Sequence, residues 1–260
     1  FVTAVAYLYG TLGTLNMAHL SQRVAEAGQG GMLNAIAVLL MIVFSLKAGL
    51  FLYFWLPGAY AAPPAVVRAL FAALLTKVGL YALIRTFSLI FYHDPAVTHT
   101  WLGIMAGMTM VLGCIGAIAY RDVPRLLNYQ VVISVGFIGI GLAIATREAW
   151  DGVVFYLMHD MLAKALLFIL GGMLIYAAGT EKLTEMRGLI ARYPLIGWLF
   201  FATALAIVGI PPLSGFPGKV LLIRSGFQEQ AYVLAGLGLL SSFFVLYALV
   251  SMFKQAFWGE

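Results

Sequence analysis

The chain alternates long apolar runs with short polar gaps. The runs lie at 1–18, 34–56, 65–91, 101–120, 125–145, 152–178, 195–224 and 231–253. At about 1.5 Å per residue each can cross a bilayer core, so the pattern predicts about eight membrane helices in an all-α polytopic membrane protein. Two runs carry helix-breaking chemistry. The second holds Lys47-Ala48-Gly49 and then an aromatic stretch ending in Trp55-Leu56-Pro57-Gly58. The seventh holds Gly209-Ile210-Pro211-Pro212-Leu213-Ser214-Gly215-Phe216-Pro217-Gly218-Lys219. Proline removes a backbone donor and clashes with the preceding turn, and glycine adds backbone freedom, so neither stretch can run as an unbroken helix. The expected breaks are at Pro57 and at Gly209, Pro211, Pro212, Gly215, Pro217 and Gly218. Freed backbone groups at membrane depth need protein or water partners, which places such breaks beside cavities. Two interrupted helices in corresponding positions point to inverted repeats. On that pattern residues 1–91 are the last three helices of one five-helix repeat, and 100–255 are all five of a second.

Composition agrees with this reading. The chain is 63% hydrophobic and 10% charged, with a mean hydropathy of +1.00, which excludes an ordinary soluble domain. A net charge of +5 suits cytoplasmic-side anchoring better than nucleic-acid binding. Arg23, Arg85, Arg147 and Arg224 fall on one side of the predicted topology. Arg68, Arg121, Arg125, Lys182, Arg187, Arg192 and Lys254 fall on the other, which is therefore the expected cytoplasmic side. The chain opens on Phe1 inside an apolar run, with no Met, n-region or cleavage site. The expectation is a piece of a longer protein rather than a signal peptide.

Four of the six lysines, Lys47, Lys77, Lys164 and Lys219, lie inside apolar runs, whereas the nine arginines gather at gaps and ends. A lysine at a helix centre costs roughly 2.5–3.5 kcal/mol on insertion scales. Lysine releases its proton when desolvated and arginine effectively does not, so this distribution favours lysines that titrate. The competing reading is a bundle-facing lysine bonded to carbonyls. Tyr81 is four residues from Lys77, either as a hydrogen-bond partner of the amine or as interfacial packing. Asp160 and Lys164 stand at i, i+4 with the acid first, either an ion pair that eases insertion or a relay node in which Asp160 sets how readily Lys164 deprotonates. His159 lies about 140° from Lys164 around the helix and either extends a relay or is simply hydrogen-bonded.

Other chemistry finds no support. The single cysteine, Cys114, excludes an internal disulfide framework, and no residues have metal-ligand spacing. His93-Asp94-Pro95 reads as a surface turn. No phosphate loop and no nucleophile–base pair is present, so neither bound cofactors nor a catalytic site of an enzyme is expected. Met and aromatic residues read as ordinary membrane packing, with Trp101, Trp150, Trp198 and Trp258 as interface anchors.

Several tracts resemble a known family. Trp55-Leu56-Pro57, Ala62-Pro63-Pro64 and Leu75-Thr76-Lys77-Val78-Gly79-Leu80-Tyr81-Ala82-Leu83-Ile84-Arg85 are similar to the antiporter-like subunits shared by complex I and Mrp cation/proton antiporters. Asp122-Val123-Pro124-Arg125-Leu126-Leu127-Asn128-Tyr129, Lys164-Ala165-Leu166-Leu167-Phe168, Met186-Arg187-Gly188-Leu189 and Gly209 through Lys219 continue the likeness in order along the chain. Within the family, Gly13-Thr14-Leu15-Asn16-Met17-Ala18-His19-Leu20 and His159 through Lys164 resemble the D-type subunits of Mrp antiporters most. The resemblance implies a fourteen-helix fold with two inverted five-helix repeats and discontinuous helices. It also implies a central row of buried charges on which Lys47, Lys77, Lys164 and Lys219 fall. The family's upstream glutamate would precede Phe1. The chain departs from many members after Lys47, where Ala48, Gly49 and Leu50 replace a Pro-His pattern, and at Gly58, where an acid is common.

The expectation is an ion-translocating subunit of a multisubunit Na⁺/H⁺ antiporter. It would sit in a bacterial inner membrane among other membrane subunits, bind no nucleic acid, and have H⁺ and Na⁺ as its ions. Lys77 and Lys164 would carry protons in turn, Lys47 would pair with the upstream glutamate, and Lys219 would gate the exit. The rivals are a proton-pumping subunit of a respiratory NADH:quinone oxidoreductase or hydrogenase complex, with redox chemistry in its partners, and a non-conducting structural subunit. Lys219 alone does not separate the first two.

Overall fold

The structure is a computed structural model and describes residues 1–258. Among these residues it is helical throughout, apart from loops and one isolated antiparallel bridge between Asp122 and Lys182. The helices are α1 (Val2–Leu12), α2 (Met17–Ala27), α3 (Gly31–Ala48), α4 (Leu56–Ala61), α5 (Ala65–Leu70) and α6 (Thr76–Leu89). They continue as α7 (Pro95–Ala119), α8 (Val123–Ile144), α9 (Arg147–Ala178), α10 (Leu189–Arg192), α11 (Pro194–Val208), α12 (Gly215–Gln228) and α13 (Tyr232–Phe253). A π-helical turn, Phe71–Leu75, joins α5 to α6 in one continuous rod. Six stretches are long and apolar enough to cross a membrane: 31–48, 65–89, 95–119, 123–144, 147–178 and 232–258. Val2–Leu12 and Pro194–Val208 are shorter apolar helices.

Local chemistry sets the ends of the helices. Thr146 Oγ1 accepts the Ala149 N–H at the start of α9, and Gly179 closes it in the left-handed region at φ 73°. Proline occupies the first turn of α7, α8 and α11, where its missing N–H is no loss. α8 is mostly apolar and buried on nearly every face, making it the helix about which the bundle is assembled. Glycines let neighbours approach it closely, as where Gly136 meets the backbone of α7 at Ala106 and Met110.

Four segments differ from the sequence expectation. The run 1–18 is not one helix. Gly13 turns left-handed at φ 68° to end α1, and Asn16 Oδ1 accepts the Ala18 N–H at 3.0 Å to start α2. The expected 19–33 connection is therefore largely α2, which buries only Leu20 and Val24. In the second run the helix stops at Ala48, with Gly49 left-handed at φ 75°, and Pro57 sits in the first turn of α4. The break thus precedes Pro57, because proline is favoured once a helix is starting. In the seventh run the break spans 209–214, containing Gly209, Pro211 and Pro212. Gly215, Pro217 and Gly218 belong to the first turn of α12. The run 65–91 holds the π turn, which the apolar pattern does not announce.

The charged ends sort as the alternation of helices requires. Arg68 lies 3.5 Å from Glu181, and Asp122 pairs along the backbone with Lys182, so these groups share one end of the bundle. Arg224 lies 3.4 Å from Glu148 at the other end.

Candidate functional site

α8, α9, α6 and α12 bring the charges of three predicted segments together in the interior. The face of α8 that carries Gln130, Ser134 and Phe137 lies behind Lys164, Asp160 and Lys219. Lys77, on α6, is 4% exposed, Asp160 1%, Lys164 0% and Lys219 6%. Asp160 is the junction. Its Oδ2 lies 2.7 Å from Lys77 Nζ and its Oδ1 3.9 Å from Lys164 Nζ. The Lys77 contact is a charge contact off the hydrogen-bond direction, since Oδ2 has no aligned donor. The sequence paired Asp160 with Lys164 alone. The structure adds Lys77 as the nearer partner, because α5 and the π turn pack on α9 and bring the start of α6 up to Asp160.

Each ammonium also donates to a backbone carbonyl. Lys77 Nζ reaches Ala72 O at 2.8 Å, Lys164 Nζ reaches Gln130 O at 2.8 Å and Lys219 Nζ reaches Val208 O at 2.8 Å. The last of these carbonyls ends α11, where the helix dipole is negative and backbone acceptors are free. Lys219 therefore bridges its own helix break. It also donates to Ser242 Oγ at 3.0 Å and faces the rings of Phe137 and Tyr156 at 5.2 Å and 5.9 Å. Those two rings, expected as ordinary packing, belong to the lysine's surroundings. His159, 8% exposed, shares a 2.9 Å hydrogen bond between Nδ1 and Ser214 Oγ, which ties α9 to the second break.

Two expected members stand apart. Lys47 lies in the last turn of α3 with an exposed side chain and is not in the buried cluster. Its backbone is nevertheless close to the cluster, because the α3 terminus at Lys47–Ala48 lies against Gly79, two residues from Lys77. Tyr81 is 60% exposed and does not bond Lys77, whose amine turns back toward Ala72 and across to Asp160 instead. Among the described residues no group of His, Cys, Asp or Glu could hold a metal ion.

Sequence reasoning passed over Gln130, Ser134, Ser214, Ser242 and the π turn. Gln130 and Ser134 had a signal, since they are polar residues four apart in a mostly apolar helix. The carbonyl of Gln130 accepts both Ser134 Oγ and Lys164 Nζ, while its own amide has no protein partner. The π turn had no such signal.

As an assembly, the row holds three amines against one carboxylate in a low-dielectric interior. One protonated lysine is neutralised, and each further proton adds an uncompensated charge. Sites of this kind suit proton transfer between neighbours better than fixed charge storage.

The family profile described as NADH:quinone oxidoreductase/Mrp antiporter, TM, matches residues 1–256. The D-type subunit of the Na⁺/H⁺ antiporter of Bacillus subtilis is 51% identical, over all of this chain and 53% of its own length. In the solved Mrp complex from Dietzia sp., a chain 29% identical superposes with a TM-score of 0.93, covering all of this chain and 48% of that one. In respiratory complex I of Thermus thermophilus, one 27% identical gives 0.88, covering all of this chain and 55% of that one. The chain spans about half the length of the curated relatives it matches. With its interrupted helices, its buried lysines and a match over nearly its whole length, the chain belongs to the membrane-subunit family shared by NADH:quinone oxidoreductases and Mrp antiporters.

Proposed function

We propose that this chain is part of the ion-translocating D-type subunit of a multisubunit Na⁺/H⁺ antiporter. The observation that carries the reading is the buried row in which Lys77 and Lys164 share Asp160 while Lys219 spans the second helix break. The name of the Bacillus subtilis relative supports the antiporter class. Protons move along the row by exchange between neighbouring amines. Lys77 and Lys164 trade the single carboxylate, and Lys219 releases or receives a proton as the 209–214 segment rearranges. Neighbouring ammonium groups repel at low dielectric, so a proton arriving at one site favours departure from the next. Lys47 lies on a face that further helices of a longer protein would cover, and its partner there is an acidic residue outside this chain. His159 adjusts the second break through Ser214.

The breaks at 49–55 and 209–214 support two inverted repeats, 1–91 and 100–255. The end bearing Arg68, Arg121, Arg125 and Lys182 is cytoplasmic in a bacterial inner membrane by the excess of positive charge. Other membrane subunits of the antiporter are the partners.

The test is a pH-gradient assay in everted vesicles from cells without their own sodium antiporters. The full-length protein is expressed with its whole set of partner subunits, with and without Lys219→Ala. Added Na⁺ should collapse the gradient with Lys219 and fail to do so without it, at equal amounts of protein in the membrane. The likeness to complex I supports a second reading, a proton-pumping respiratory subunit. That reading replaces the first if Na⁺ does nothing while an electron donor drives acidification.

A further inference from the structure

Lys77 sits just after the one irregular turn of the α5–α6 rod. A π turn moves carbonyls out of α-helical register and turns them sideways toward other donors. Two side chains take them here. Tyr60 Oη donates to Phe71 O at 3.1 Å, and Lys77 Nζ donates to Ala72 O at 2.8 Å. Tyr60 belongs to α4, the six-residue helix beyond the first break, and is fully buried. Its ring is tilted against Phe71 at 5.7 Å and edge-on to Trp55 at 6.1 Å.

The segment that carries Tyr60 is itself held at both ends. Phe51, at φ 62° in the left-handed region that a bulky residue rarely adopts, gives its N–H to Thr109 Oγ1 at 2.7 Å. Asn128 Nδ2 donates to Pro57 O at 2.9 Å. The first break is thus fastened to α7 and α8 on one side and, through Tyr60, to the π turn on the other. On the far side of Lys77 stands Asp160, with Lys164 beyond it. The ammonium therefore has two destinations, a carbonyl presented by the π turn and the shared carboxylate.

We propose that Tyr60 is a positioning residue for Lys77. Its hydroxyl, carried on the half-helix beyond the first break, holds the π turn that presents Ala72 O to the ammonium. Displacement of α4 then changes how Lys77 is shared between Ala72 O and Asp160. Tyr60 touches no transported ion and acts through the backbone of residues 71–72. The inference rests on the transport reading above, since a row that moves no protons needs no such adjustment.

The test uses the full-length protein in its assembled complex, in the same vesicle assay, across a range of pH. Tyr60→Phe keeps the ring and removes only the donor. The expected result is normal complex abundance, Na⁺/H⁺ exchange per complex lower by about two- to tenfold, the scale of one hydrogen bond, and a displaced pH profile. A merely structural role would scale exchange at every pH by the amount of complex lost and leave the normalised profile in place. A normalised rate and profile that superpose on the wild type overturn the proposal. So does a Tyr60→Phe protein that does not assemble at all, because the hydroxyl would then be required for folding. Wild-type vesicles separate the two claims. If they do not exchange Na⁺ for H⁺, the transport reading falls and the role of Tyr60 falls with it. If they do, an unaffected Tyr60→Phe removes only the role of Tyr60.

Discussion

Asp160 stands between two buried amines, 2.7 Å from Lys77 Nζ and 3.9 Å from Lys164 Nζ. Asp160→Asn keeps the shape and removes the only counter-charge these two contacts supply. Removing one partner of a buried ion pair typically costs about 3–5 kcal/mol. The solubilised complex should melt at a lower temperature and exchange should fall more than tenfold. Wild-type melting and exchange would show that the carboxylate is not shared. Lys219→Arg separates a fixed charge from a titrating one, since arginine keeps its charge at any working pH. The expected outcome is normal assembly with exchange lost. Retained exchange would mean that no proton leaves this site. Much of this scale was legible in advance. A lysine within an apolar run is visible in any hydropathy pattern, and so is an acid four residues before one. The nearer Lys77–Asp160 contact was not, because the two residues lie far apart in the chain and only the packing of α5 and the π turn on α9 joins them.

At the scale of elements, the two broken helices and the π turn set where charges meet. Gly79 is a tight joint beside the buried row. A Cβ there would collide with the backbone at Lys47–Ala48, so Gly79→Ala must push α3 away from α6. Overpacking of this kind costs about 1–3 kcal/mol. The expected result is a lower melting temperature of the complex together with reduced exchange, since the displaced helix end lies beside Lys77. An unchanged melting curve would show that the joint is loose. Clusters of Pro and Gly announced both breaks, but their limits were misplaced. Pro57, Pro217 and Gly218 each lie within the first turn of a new helix, a position where proline needs no N–H and glycine allows close approach. Gly218 approaches Tyr156 in this way. The π turn could not be read at all. Phe71-Ala72-Ala73-Leu74-Leu75 favours an ordinary helix, and its extra residue is accommodated by a contact with Tyr60 from α4 and one with Lys77 from the following turn.

For the whole molecule, titrating groups lie on the loops as well as in the interior. The loop 180–185 offers a comparison. Hydrogen bonds from Thr180 and then Lys182 hold the Glu185 carboxyl below its usual value of 4.5. A depressed carboxylate contributes stability above its unfolded value and loses it as pH falls through the folded one, so its window lies in acid below about 4.5. The side chain is exposed, so the effect is screened and small. Glu185→Gln should therefore leave the pH profile of exchange unchanged between pH 6 and 9. A displaced profile in that range would implicate the loop in coupling.

The sequence by itself determined that the chain lies in a membrane, that two of its helices are broken, and that lysines are buried within it. These follow from local chemistry, because apolar length, Pro and Gly chemistry and the expense of a charge in hydrocarbon need no knowledge of neighbours. Only the tertiary structure decided which amine shares Asp160, which carbonyls receive the lysines, that Lys47 stands outside the buried cluster and that a π turn precedes Lys77. Those outcomes depend on helices distant in the chain packing at close range, where a single glycine or hydroxyl sets the register between them.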